Sequence, residues 1–476
     1  MSRSPQRWLF VVPALVLSGA AVFGWRSYSA RRAWRELRPP VPALLGEQAP
    51  GCDAHIASCA ARLQAYPPDH AALAEFAALC HANGRLDEAA AAYQALIALE
   101  PAEPRWPHRL AAILSGFGRL DEARPLLRRT TVLAPTQVVA WLKLGEAELK
   151  ANALPSAEAA YSETLRLDPA NAHALVGLAR CDLQSGRLTA ARSHLEQSVR
   201  AHGDAASAQS LLAEVFERLG NSEAAALARS RVANSGHYTE PADPWLEELN
   251  AVCFDPYTLL TAASTAVADG EPRKALPLLD RALQLAPRDA RLHRQLAKTL
   301  AVLGDSARAR TEAAQAVAFD PKNDAVRLDQ IALLRRFGDE PAADQAIAEG
   351  VAACPTSTAL NFEAGVLAAN SGRLDDARRH LEFSWRSRPD QSAPALELAK
   401  VLFSQGRDAD GFALLEEVLT RFPGENAALV ILIRRGLETR DPRTAAWLAL
   451  ATERRAPADL LAELTTDYRR RFGTTP

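Results

Sequence analysis

Apolar and polar positions along the chain follow the three-to-four-residue rhythm of amphipathic helices, in short bursts separated by turn residues. In the stretch AALAEFAALCHANGRLDEAAAAYQALIALEP, Leu73, Phe76, Ala77 and Cys80 recur at i, i+3, i+4 and i+7, which predicts one apolar stripe on a helix. Gly84 then ends that helix, because glycine tolerates the left-handed conformation that closes it. Asp87 is expected to accept hydrogen bonds from the first amides of the next helix. Leu96, Ile97 and Leu99 bury that second helix, and Pro101 stops it by lacking an amide hydrogen. Pro125 and Pro277 are expected in the first turn of second helices, where an amide would be unpaired anyway.

This hairpin recurs with a period of 34. Prolines stand at 67, 101, 135 and 169, and again at 287, 321, 355, 389, 423 and 457. Seventeen residues before each expected proline is a turn position. It is glycine at 84, 118, 186, 220, 270, 304, 338, 372 and 406, and otherwise Asn152 and Arg440. Five residues further on stands alanine in every unit except one, where Gly411 replaces it. A small residue there lets two helix backbones approach closely. Chance composition does not build such a lattice.

The motif as a whole resembles the tetratricopeptide repeat (TPR) family. The resemblance rests on the large-small pairs before the turn (Phe76-Ala77, Leu110-Ala111, Leu144-Gly145, Leu178-Ala179, Leu296-Ala297 and Leu398-Ala399). It rests also on Trp141, the turn glycine, the following alanine, Tyr93, Tyr161 and the closing proline. The units at 204–237 and 424–457 are degenerate, and Gln330-Ile331 replaces the usual pair. The implied fold is all-α: about eleven antiparallel helix pairs stacked in a right-handed TPR superhelix, with a concave face that binds partners. The sequence divides into a first array at 52–237, opened by a lone second helix at 52–66, and a second array at 254–457. Residues 458–476 form a capping helix and tail that cover the last apolar face. Between the arrays, residues 238–253 form a Pro/Trp-containing linker. It reads as a hinge whose Trp245 packs on the fourth or fifth unit, with a docking or regulatory insertion as the other reading.

Before the repeats come a short flank at 1–7, an uncharged stretch at 8–25 and a basic, Pro-rich juxtamembrane linker at 26–51. Eighteen uncharged residues between Trp8 and Trp25 read as a single transmembrane anchor in the lipid bilayer. A cleaved signal peptide ending near Ser18-Gly19-Ala20 is the competing reading. Arginines after the span would hold the body in the cytoplasm, whereas an apolar segment so early in a chain is typical of export. The expectation is a single-pass protein of a bacterial inner membrane with its body on the periplasmic side. Six lysines beside 49 arginines, with abundant alanine, suit a GC-rich bacterial genome.

Charge narrows the partners. Residues 1–40 carry a net +6, which leaves about −8 on the remainder, and an acidic body disfavours nucleic acid. The six cysteines form no CxxC. Cys52, Cys59 and Cys80 read as small buried hydrophobes, or as disulfide partners in an oxidising compartment. No HExxH, GxSxG, phosphate-binding glycine loop or i,i+4 histidine pair occurs. No catalytic residue, cofactor or metal is therefore expected.

In the TPR family the concave groove is lined mainly from the first helix of each unit, at positions 13, 10, 6 and 3 before the turn glycine. In unit 288–321 these are Arg291, Arg294, Lys298 and Ala301, and Arg335 holds the last of them in the next unit. Arg105 with His108, and His173 with Arg180, form weaker basic groups. The partners implied are proteins or peptides, including acidic segments or a terminal carboxylate held through charge-assisted hydrogen bonds. The expected role is a membrane-anchored scaffold in cell-envelope assembly or exported-protein maturation. The alternative is a TPR subunit of a polysaccharide-export or cytochrome-maturation apparatus.

Overall fold

The computed structural model describes residues 28–40, 50–202, 206–232, 241–454 and 456–475. Among them the ordered elements are helical, and eleven antiparallel hairpins follow one another from His70 to Glu453. The chain divides after Leu285 into two units. Hairpin Pro256–Ala268/Pro272–Leu285, which the repeat count assigns to the second array, thus groups with the first.

The turn lattice explains why each hairpin bends where it does. All nine turn glycines have positive φ, between 70° and 84°. Asn152 and Arg440, the two exceptions, adopt the same left-handed conformation at φ 57° and 58°, so geometry is imposed there on residues that pay for it. The alanine lattice is equally physical. Ala89, Ala123, Ala157 and their equivalents through Ala377 are wholly buried where the two helices cross. Gly411 departs from the rule because a Cβ there would lie 2.3 Å from the ring of Phe403.

The first unit opens with a helix at 28–37, whose Trp34 is buried and donates from its indole to the Leu63 carbonyl at 3.3 Å. Helix Pro50–Arg62 follows and buries Cys52, Ile56 and Cys59 against the first hairpin. The second unit ends with helix Ala458–Phe472, which buries Leu464 and Tyr468 against the last hairpin and leaves Arg469–Arg471 in its final turn.

Several expectations are corrected. Asp87 is not a cap: the helix starts at Leu86 after Arg85, with no side-chain capping bond, and Asp87 lies in the first turn, where it complements the helix dipole. Pro125 and Pro277 are the sixth residues of helices Leu120–Leu133 and Pro272–Leu285, inside the second turn, and each removes one backbone hydrogen bond. Trp245 packs on the second hairpin, not the fourth or fifth. The membrane placement is also corrected: no helix among the described residues is long and apolar enough to cross a bilayer. A single-pass inner-membrane position with a periplasmic body therefore has no described span to rest on, and segment 8–25 lies outside the described residues.

Candidate functional site

Helix Arg105–Gly116 is the first helix of the second hairpin. Its start is fixed by Glu103, whose carboxylate accepts from the Arg105 amide at 3.2 Å and from Arg105 Nε at 2.8 Å. The turn holds Arg105 and His108 on one face, with Arg109 beside them. Onto this face folds the segment Ala242-Asp243-Pro244-Trp245-Leu246-Glu247-Glu248-Leu249. Asp243 caps a four-residue helix, Pro244–Glu247, by accepting from the Leu246 amide, and a 3-10 turn, Glu248–Val252, continues it.

The contacts are specific. His108 Nε2 lies 2.7 Å from Asp243 Oδ2, and both side chains are buried, at 1% and 7% exposure. Asp243 is held below the ordinary aspartate range. Burial pushes its carboxyl up, but the hydrogen bond and charge of His108, the Leu246 amide and Lys143 together outweigh it. Because that carboxylate only accepts, His108 must carry its proton on Nε2. Trp245 meets the imidazole edge-on, 4.9 Å between centroids. Arg109 donates twice to the Trp245 carbonyl, at 2.9 and 2.6 Å, and once to Glu248 at 2.6 Å. Arg105 adds a longer contact to Glu248 at 3.5 Å.

The chain then retraces the stack toward its beginning. Asn83, which closes the first helix of the first hairpin, donates to the Val252 carbonyl at 3.0 Å and accepts from the Phe254 amide at 2.7 Å. Phe254 packs on His55, under the Arg281 guanidinium. Nearby, burial with the Arg109 charge holds His81 at about 4, and burial lifts the thiols of Cys59 to about 11 and Cys80 to about 12. All six cysteines are buried and free, and such thiols are poor nucleophiles.

In the second unit the expected basic positions are arranged differently. Helix Ala290–Leu303 presents Arg294 and Lys298 to a single carboxylate, Asp329, on the next first helix, Asp324–Arg336. Lys298 Nζ is 2.7 Å from it. Arg335 reaches Glu363, one repeat further, at 2.7 Å. Arg291 turns back to Asp289, the cap of its own helix, at 3.0 Å, and Ala301 is buried. Arg294 and Lys298 are thus brought together, while Arg291 and Arg335 each serve another carboxylate.

The repeat pattern does not predict Arg109, Asp243 and Glu248 as functional residues. Arg109 lies off the groove register, and the two acids belong to a linker that periodicity does not place. The available signal was chemical: acids flanking a Pro-Trp pair beside a basic helix face.

Tetratricopeptide-repeat family models match residues 80–147, 148–215 and 266–336, and a second such model matches 362–426. Together they cover more than half the chain. No curated protein sequence matches it significantly. Solved structures with similarity include a MamA protein, 18% identical over 35% of this chain and 90% of that one, with a TM-score of 0.33. MamA from residue 41 to its end, from Desulfovibrio magneticus RS-1, is 17% identical over 35% of this chain and 93% of its own, with a TM-score of 0.33. Yeast Tom70 is 13% identical over 85% of this chain and 96% of its own, with a TM-score of 0.32. The 34-residue lattice, the left-handed turns, the buried alanines at each helix crossing and the matching repeat models lead to one conclusion: this chain belongs to the tetratricopeptide-repeat family.

Proposed function

We propose that the protein is an interaction scaffold that holds partner proteins by laying their acidic segments along first-helix faces. The observation that carries this reading is the seating of residues 243–249 on Arg105, His108 and Arg109. In that contact a short acidic stretch outside the repeats is bound through carboxylates, one backbone carbonyl and an indole. These are the elements of peptide recognition.

In the second unit the corresponding surface is centred on Arg294 and Lys298, with Arg291 and Arg335 flanking. Two cations share the Asp329 carboxylate, so the pair retains net positive charge and can take a further carboxylate from a partner. The test is fluorescence anisotropy with a labelled ten-residue glutamate peptide and the full chain. Arg294→Glu with Lys298→Glu is expected to weaken binding at least tenfold, with the helical circular dichroism unchanged. Undiminished binding removes this surface from the proposal.

A further inference from the structure

We propose that the face of helix Arg105–Gly116 is a docking site for a partner protein bearing an acidic Pro-Trp segment, and that residues 243–249 occupy it as an intramolecular stand-in. The inference rests on the reading that first-helix faces take acidic segments, and it names the ligand chemistry for one of them.

Four observations converge. The segment is not part of the repeat lattice: the turn positions Gly220 and Gly270 are separated by one period plus sixteen residues, so it supplies no hairpin that the stack needs. Its contacts to helix Arg105–Gly116 are largely polar and directional rather than core packing, with Arg109 alone giving three hydrogen bonds. Glu248 is 49% exposed, so water and a competing carboxylate reach that pair. Finally, the fit is incomplete. His108 is 1% exposed, yet its Nδ1 has no hydrogen-bond partner among the described residues, although buried ring nitrogens are normally paired. With the proton on Nε2, Nδ1 is an acceptor, and a ligand that brings a hydrogen-bond donor to it makes a bond that the chain's own segment lacks.

The surroundings show why this face needs an acidic occupant. On the following first helix, Lys143 pairs with Glu146 at 3.1 Å, and Glu103 pairs with Arg105. The carboxylates on His108 and Arg109 come instead from the segment itself, 135 and 139 residues away in sequence. Its departure exposes a cationic, partly aromatic face with Trp106 under the Arg105 guanidinium. An indole flanked by carboxylates two residues before and three residues after it matches that face in charge and shape.

A tethered segment competes at an effective concentration of order millimolar, so the intact chain should take an external ligand weakly. The probe is a fluorescein-labelled peptide of residues 241–252. The full-length variant Asp243→Ala/Trp245→Ala/Glu248→Ala is expected to bind it at least tenfold more tightly than the unaltered chain. Adding Arg109→Gln to that variant should abolish the gain, and the peptide carrying Trp→Ala should bind at least tenfold more weakly. A variant with unchanged helical signal that binds no more tightly overturns the proposal.

If the variant loses its helical signal, the unaltered chain is photolabelled instead, with the same peptide carrying benzoylphenylalanine in place of its Trp. Label on helix Arg105–Gly116 supports the site, and no label there at millimolar peptide overturns it. Light scattering on the unaltered chain completes the test. A dimer that the triple variant dissolves makes a second copy the occupant and overturns the partner assignment. Arg294→Glu/Lys298→Glu should leave this peptide's binding unchanged, so failure at Arg109 is distinguishable from failure of the second-unit surface.

Discussion

The two units place basic residues on the same kind of helix face and satisfy them in opposite ways. In the second unit the counter-charges are built into the lattice: Asp329 serves Arg294 and Lys298, and Glu363 serves Arg335, each from a neighbouring repeat. In the first unit His108 and Arg109 receive their carboxylates from a linker that folds back across the stack. A counter-charge fixed on a neighbouring helix stays within a side chain's reach of its partners for as long as the hairpin is folded. One carried on a linker can leave while every hairpin stays intact. The lesson is that similar cationic faces differ in accessibility according to where their acids are tethered.

The largest expected effect breaks the first-unit arrangement. His108→Leu leaves Asp243 buried without its partner, a loss of about 3–5 kcal/mol for such pairs. The segment should undock rather than the hairpin unfold. Hydrogen exchange should then show protection of the amides at 246–253 falling by about a hundredfold or more, with the second unit's helices unchanged. Amides that exchange as slowly as before would show that this pair does not hold the segment.

Next comes pH. His81 is held at about 4 by burial and the Arg109 charge, against about 6.5 when unfolded. The unfolded chain binds more protons between those values, so the first unit should lose about 3 kcal/mol as pH falls from about 6.5 to about 4. Asp243 acts lower. Its stabilisation is complete above the ordinary aspartate value of about 3.9 and disappears as pH falls through its depressed folded value. Urea unfolding at pH 7.5 and pH 5 checks the first claim. His380 in the second unit is shifted the same way, first by burial, so His81→Gln must flatten the profile for the loss to belong to the first unit.

Smaller effects sharpen the contrast in the second unit. Asp329→Asn should cost under about 1 kcal/mol, since the three side chains are partly exposed. It should nevertheless strengthen capture of the glutamate peptide severalfold, because two cations lose their internal carboxylate. Weaker capture would mean that Asp329 organises the site rather than competing for it. Arg291→Ala should change stability by no more than about 0.5 kcal/mol, measurable as an unfolding midpoint shift near the detection limit.

Much of the fold is legible because it is local. Asn152 and Arg440 interrupt a column of glycines, yet their place in the column predicts the left-handed turns they form. The alanine column marks the buried crossings. Helix boundaries are less legible: Asp87 and Pro125 lie a few residues from their expected roles, because a start position depends on which backbone bonds close first. The site is legible in half. Arg105, His108, Arg294 and Lys298 were readable from register, whereas the Asp329 carboxylate that Arg294 and Lys298 share was not. The seat of Trp245 was not, because the chain reverses along the stack and no periodic signal crosses from residue 245 to residue 108.

What the sequence determined by itself is the hairpin and its repetition. Each needs only contacts within about 34 residues, and identical spacing enforces identical stacking. What only the tertiary structure decided is which acid meets which base. Whether a carboxylate lies on the adjacent helix or arrives from a linker more than a hundred residues away depends on the path the chain takes back over its own surface. Coulomb attraction acts on distance in space, and separation along the sequence does not report it.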